Sequence, residues 1–339
     1  MKKIGFLSFG HWSNAPGSRV RTAAESLTQS LELAVAAEEV GVGGAFFRVH
    51  HFAAQQANPF PLMAAIAART STLEIGTGVI DMRYENPLYM AEEAAQVDLL
   101  SGGRLQLGIG RGSPEMVVEG YRAFGHIPEP GESAAEMAHR HTSTFLDAIR
   151  GRGYAPRDPR HGPAGLAPIQ PLSESLPERV WWGSGTRASA RSAAEQGMNL
   201  LSSHILLEDT GSSFNDAQAE QIRLFRQTWA SAGHSFAPRI AVVRSILPLI
   251  DDETRLYFGP RADVESREQA GVMQGVMARV GRNYIGEPDR IVADLADDAG
   301  VREADTVIIT VPNQLGVDFN ARILQSIVRD VEPELRAVA

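Results

Sequence analysis

Residues 98–112 read DLLSGGRLQLGIGRG. Within that stretch a helix-forming segment runs out at Ser101-Gly102-Gly103. A strand over Arg104–Gly108 follows, its pattern of Leu105, Leu107 and Ile109 alternating with polar or small residues, and it leads into a glycine-rich turn carrying Arg111. Glycine stops helices because it takes the left-handed backbone at no steric cost. Strict apolar alternation marks a strand. Helix, stop, strand and loop are thus legible in one line, and the fold depends on whether the unit repeats.

It repeats in both directions. Upstream, strands are expected at Ile4–Ser8, Ala45–Arg48 and Leu73–Val79. Their helices are Ser26–Val40, stopped by Gly41, then Pro61–Arg69, then Pro87–Leu100, and two of these open on proline at a compatible position. Downstream come a helix at Ala134–Ile149 and strands at Val180–Trp182, Asn199–Ser202, Ile240–Leu249 and Thr306–Thr310, with helices at Ser189–Gln196, Gln218–Ala232 and Asn320–Val331. Eight strand candidates alternating with helices predict the α/β class and a (β/α)₈ TIM barrel occupying 1–339 as a single domain. Two segments break the rhythm. Gly151–Pro177, rich in Pro and Gly, reads as an irregular surface excursion after the fourth helix, with a domain boundary as the alternative. Phe258–Asn283, after the seventh strand, lacks clear periodicity and reads as a mobile loop over the active face or as a charged helical insertion.

Composition narrows the function. A net charge of −9 leaves no basic footprint, so neither nucleic acid nor an anionic membrane is an expected partner. With no cysteine, thiol nucleophiles, thiolate metal sites and disulfides are excluded, which fits a cytoplasmic protein. The N-terminal apolar run is cut short by Gly10-His11-Trp12-Ser13, so it reads as a first strand and not as a signal peptide. No apolar run is long enough to span a membrane.

Three constellations fall just after strands, on the face where barrel enzymes build their sites. Arg48-Val49-His50-His51-Phe52 could supply metal ligands, a general base or hydrogen bonds to a cofactor ring; adjacent residues leaving a strand point opposite ways, which disfavours a shared metal. Gly108-Ile109-Gly110-Arg111-Gly112-Ser113 follows the fourth strand, unlike a dinucleotide fingerprint; its glycines admit an anion to the backbone and Arg111 can grip phosphate, or it is a tight turn with a solvated arginine. Gly183-Ser184-Gly185-Thr186-Arg187-Ala188-Ser189 opens a helix, giving a phosphate cradle or a plain N-cap.

With these residues in view, the chain resembles the bacterial-luciferase-like flavin oxidoreductases. The resemblance is carried by FRVHHF (47–52), PLMAAIAART (61–70), LEIGTGV (73–79), NPLYMAEE (86–93), DLLSGGRLQLGIGRG (98–112), VWWGSGTRASARSAAEQG (180–197) and IGEPDR (285–290). It implies that His50, with His51 beside it, lies near the flavin and serves its oxygen chemistry. It implies a non-proline cis peptide at Gly78–Val79, next to Thr77, packed on the isoalloxazine ring, and phosphate contacts from Arg111, Gly112 and Ser113 on one side and Gly185, Thr186 and Ser189 on the other. Val49 stands where the family usually has glutamate, so a mechanism needing that carboxylate does not transfer.

The resemblance further implies reduced FMN supplied by a separate flavin reductase, oxidation of a small organic substrate with O2, a loop that shields the site from water, and no metal. It leaves open an F420-dependent hydride transfer and a non-catalytic flavin-binding barrel, and the residues alone leave open a metal-dependent hydrolase on His50 and His51. Alanine-rich helices at Pro61–Arg69 and Pro87–Leu100 resemble the family's dimer face, so a homodimer is expected. Phe9, Trp12, Arg48, Asp81, Arg83 and Asn313 are candidate substrate-pocket residues, with Arg48 and Arg83 suited to an anion or to surface ion pairs.

Overall fold

The computed structural model describes residues 2–112, 116–273 and 275–337. Eight parallel strands close into a barrel: β1 Lys3–Ser8, β2 Gly44–Phe47, β3 Glu74–Thr77, β4 Leu105–Gly110, β5 Val180–Ser184, β6 Asn199–Ser202, β7 Ile240–Pro248 and β8 Thr306–Val311. Each pairs with the next in chain order. β8 returns to β1, with Thr306 opposite Lys3. β4 and β5 are neighbours although the whole Gly151–Pro177 excursion lies between them.

Period-two alternation divides the strands between two apolar layers. Ala45 and Phe47 of β2 pack outward with the helices. Phe46 turns inward with Leu7, Trp181, Leu201, Ala241, Val243 and Ile308 to fill the barrel axis. Space for Phe46 comes from Gly76, where a Cβ would lie 2.7 Å from that ring and 2.4 Å from the Gln106 carbonyl. At the N-terminal end of the strands Arg239 donates to both Glu74 oxygens at 2.9 and 3.0 Å, and Trp181 Nε1 donates to Gln106 Oε1 at 2.9 Å. This polar floor closes one end. The open end is the C-terminal one.

Local signals set the helix limits. The first helix starts at Ala23, earlier than the periodicity suggested, because Thr22 and Glu25 form a capping box. The closing helix begins at Val317 and passes through a π-helical turn at Ile327–Val331. Two sequence readings need correction. Gly151–Pro177 is less irregular than its composition implied, because Gly153–Pro156 and Leu166–Pro168 pair antiparallel. Phe258–Asn283 is neither a plain loop nor a helical insertion: Gln269–Met273 and Val276–Val280 form an antiparallel hairpin, to which Ile205–Leu206 adds a third strand. The hairpin escaped the sequence reading because Gln269–Val272 is exposed on both faces, so no buried side imposes alternation.

Candidate active site

A cavity of about 230 Å³ opens at the C-terminal end of the barrel. A water molecule occupies roughly 30 Å³ of liquid, so the space suits an organic ligand. Its walls are strand ends: Arg48–His51 after β2, Val79 and Asp81 after β3, Gly110–Gly112 at β4, and Trp182–Thr186 with Ser189 at β5. Leu201 and Val243 supply apolar wall from β6 and β7, and Met273 reaches in from the hairpin.

β2 ends at Phe47, so Arg48–His51 has no strand alternation, and both histidines line the cavity. This corrects the expectation that they point opposite ways. The His50 N–H donates to the Gln56 carbonyl at 2.9 Å. Directly after the pair, Phe52 takes a φ of 56°, uncommon for a bulky residue, and the chain turns there. The His51 ring stacks on Tyr84 at 4.3 Å and meets the edge-on ring of Phe124 at 5.0 Å. Its Nε2 is buried without a hydrogen-bond partner among the described residues. Burial, helped by the nearby Arg48 charge and opposed by Asp81, pushes His50 down to about 4. Burial also lowers His51. Near neutral pH His50 is an uncharged imidazole, able to donate from one nitrogen and accept at the other.

The Gly78–Val79 peptide is cis, and Val79 lines the cavity. Thr77 and Gly78, both named from the sequence as cofactor contacts, do not line it. Thr77 is fully buried with its hydroxyl donating to the Gly108 carbonyl at 2.7 Å, and Gly78 faces Leu7. Both belong to the barrel wall.

Arg111, Gly112, Gly185, Thr186 and Ser189 all line the cavity, as the sequence suggested; Ser113 lies outside the described residues. Arg111 is exposed and has no carboxylate partner among the described residues. Near it, the His139 ring stacks on Trp182 at 5.5 Å; burial and then the Arg111 charge lower that histidine. Thr186 caps the helix Arg187–Gln196 by accepting from the Ser189 N–H at 3.2 Å. Ser184 and Ser189 hydroxyls lie 2.6 Å apart. Glu208 accepts the Arg187 N–H at 2.8 Å, placing a carboxylate on the first turn of this helix. Neither Glu208 nor the wall residue Met273 carried a local signal, since Glu208 comes from the segment after Ile205–Leu206 and Met273 from the hairpin, both distant in sequence from the loops they face.

The other candidates sort by what they touch. Arg83 forks onto Asp81, with contacts of 2.6 to 3.1 Å, and is thereby committed. Arg48 instead sits over the Phe9 ring at 4.8 Å. Asn313 clamps the His11 backbone through both its amide nitrogen and its oxygen. Trp12 joins Ala54 through its N–H and does not line the cavity. Among the described residues no three His, Asp or Glu side chains converge to hold a metal, and no helix is long and apolar enough to cross a membrane.

Comparison with known proteins fits this architecture. The family model described as luciferase-like monooxygenase matches residues 3–256. An uncharacterised protein of Sinorhizobium fredii is 31% identical over 201 residues, which are 58% of this chain and 56% of that protein. The oxygenase component of the flavin-dependent trigonelline monooxygenase of Acinetobacter baylyi is 26% identical over 190 residues, 51% of this chain and 50% of its own. The chain spans about half the length of these curated relatives. The oxygenating constituent of 3,6-diketocamphane monooxygenase from Pseudomonas putida, solved in complex with FMN, superposes with a TM-score of 0.68 at 16% identity, covering 98% of this chain and 99% of that one. A closed eight-stranded barrel, a cavity at its C-terminal mouth and a family match over most of the length lead to one conclusion: the chain belongs to the luciferase-like monooxygenase family.

Proposed function

We propose that the chain is the oxygenase of a two-component pair, a single-domain cytoplasmic homodimer that binds reduced FMN delivered by a separate reductase and oxidises a small organic substrate with O2. One observation carries this reading. A single cavity combines Arg111, which has no carboxylate partner among the described residues, the Thr186 and Ser189 hydroxyls at a helix start, apolar wall from Val79, Leu201 and Val243, and the imidazoles of His50 and His51. Cation, hydroxyls and helix N-terminus suit a phosphate, and the apolar wall suits a planar ring, so the residues present fit FMN.

FMN, when bound, supplies the redox and oxygen-activating chemistry. The residues supply the rest. Arg111, Thr186 and Ser189 grip the phosphate. Val79 would offer apolar surface to the ring. The uncharged His50 exchanges a proton with the reacting substrate oxygen, and His51 is fixed in the wall of the same chamber by stacking on Tyr84. Met273 and the hairpin keep water out, which strengthens these polar contacts. Support for the separate reductase comes from the trigonelline relative, named as an oxygenase component. Support for the dimer comes from the helix Pro87–Ser101, which leaves Tyr89 70%, Leu99 53% and Leu100 70% exposed.

Anaerobic titration with reduced FMN and with F420, followed by a pulse of oxygen, tests the reading. Binding of reduced FMN and oxygen uptake are expected. Binding of F420 alone, with hydride transfer and no oxygen uptake, would move the chain to the deazaflavin branch. Failure to bind either would remove the flavin from the account.

A further inference from the structure

Arg48 is a half-buried cation at the cavity wall with no carboxylate partner among the described residues. Arginines in such positions are ordinarily paired, because a desolvated charge is costly alone. Asp81, which also lines the cavity, is held by Arg83 through three contacts of 2.6 to 3.1 Å. Arg48 rests instead on the face of Phe9, and Phe9 stacks at 5.5 Å on His11, whose backbone Asn313 clamps on both sides. Its own N–H donates to the Ser8 carbonyl at 2.9 Å, fixing the base of the side chain on β1. The structure therefore holds an unmatched guanidinium in place and presents it to the cavity. Its field reaches the neighbouring imidazoles, lowering both His11 and His50 after the effect of burial.

This cation is not a second phosphate anchor. Arg111, Thr186 and Ser189 follow β4 and β5, whereas Arg48 follows β2, with β3 and Val79 between them in the barrel order. We propose that Arg48 is the head-group anchor for the substrate, and that the substrate is a small organic carboxylate. A planar guanidinium fork matches a planar carboxylate in bidentate fashion. Bound there, the carboxylate supplies the missing counter-charge and places the rest of the molecule beside His50. The assignment rests on the FMN reading for what happens next, but not for the binding itself.

The test is calorimetric titration of the FMN-loaded protein with a series of phenylalkanoates, each against its neutral amide and its sulfonate. The wild type should prefer the best acid over its amide by about 10- to 100-fold, the range of a charge-assisted hydrogen-bonded pair. Arg48→Met should abolish that preference while binding the amide as before, and Arg48→Lys should keep part of it. FMN affinity, followed by flavin fluorescence, should be equal in all three. If no acid binds better than its amide, or if Arg48→Met keeps the preference, the anchor is wrong. A sulfonate preferred over the carboxylate overturns the head-group assignment. If the wild type fails to bind FMN, the fault lies in the proposed function, and the same acid-against-amide comparison on the flavin-free protein still decides the role of Arg48.

Discussion

Glu208 holds the helix start that the proposed function gives to the FMN phosphate. Its carboxylate accepts the Arg187 N–H at 2.8 Å and lies 3.4 Å from the Arg187 guanidinium. An acid on the first turn of a helix stabilises it by about 0.3–1 kcal/mol. An incoming phosphate carries more charge of the same sign and competes for the same donors. Glu208→Gln should therefore act in two opposite directions. The free protein should lose about 0.5 kcal/mol, because the favourable charge is gone while an acceptor oxygen remains. FMN binding should tighten. A hydrogen bond to a charged group is worth about 1.5–3 kcal/mol net; the Glu208 side chain is 25% exposed, so solvent screening takes part of that away. The remaining 1–2 kcal/mol, roughly, corresponds to about a 5- to 30-fold lower Kd. Flavin fluorescence titration measures it, with riboflavin as the control because it lacks the phosphate. The gain should shrink at high salt and be absent for riboflavin. Unchanged or weaker FMN binding by the glutamine variant, or an equal gain for riboflavin, would refute the placement of the phosphate at this helix.

Arg111→Ala should raise the Kd for FMN by about 10- to 100-fold, the worth of a bidentate charged contact, and leave the melting temperature unmoved, since no partner is stranded. His50→Ala should keep FMN binding and lower the rate of substrate oxidation by at least about 100-fold, read by oxygen uptake against product formed. His204, buried beside Arg244, is pushed down to about 4. The unfolded chain takes up this proton near 6.5, so the His204 contribution should be absent above that pH and stability should fall as the pH drops from 6.5 towards 4, with about 2 kcal/mol lost at pH 5 from this group; urea denaturation at about pH 7 and pH 5 should show a fall smaller by about that amount in His204→Gln than in the wild type. Glutamate at both Tyr89 and Leu100 should convert the dimer to a monomer in light scattering after gel filtration, with the barrel's circular dichroism intact.

The barrel is legible in the sequence because each βα unit carries its own local punctuation. Gly102 takes the left-handed conformation at a φ of 69°, where the Ser-Gly-Gly stop implies it, and the capping boxes at Thr22 and Ser133 sit within a few residues of the helices they start. Eight such units leave few ways to close. The glycine-rich loops at Arg111 and Thr186, which both line the cavity, are legible for the same reason, since a loop that opens on a strand end or caps a helix needs only short-range pattern. What depends on distant partners is hidden. The partner of the Thr77 hydroxyl, the Gly108 carbonyl, is supplied only when β4 pairs beside β3, and the histidine pair seems to diverge until the strand is seen to end before it. The two arginines make the point most directly. Arg83 has Asp81 two residues before it, a spacing that allows an ion pair to form locally, and that pair does form. Arg48 has no acid near it in sequence, and among the described residues it forms no ion pair. Two residues of identical chemistry thus part company on a single criterion, whether the fold supplies a counter-charge. Only the one left without a counter-charge has binding energy to offer a ligand.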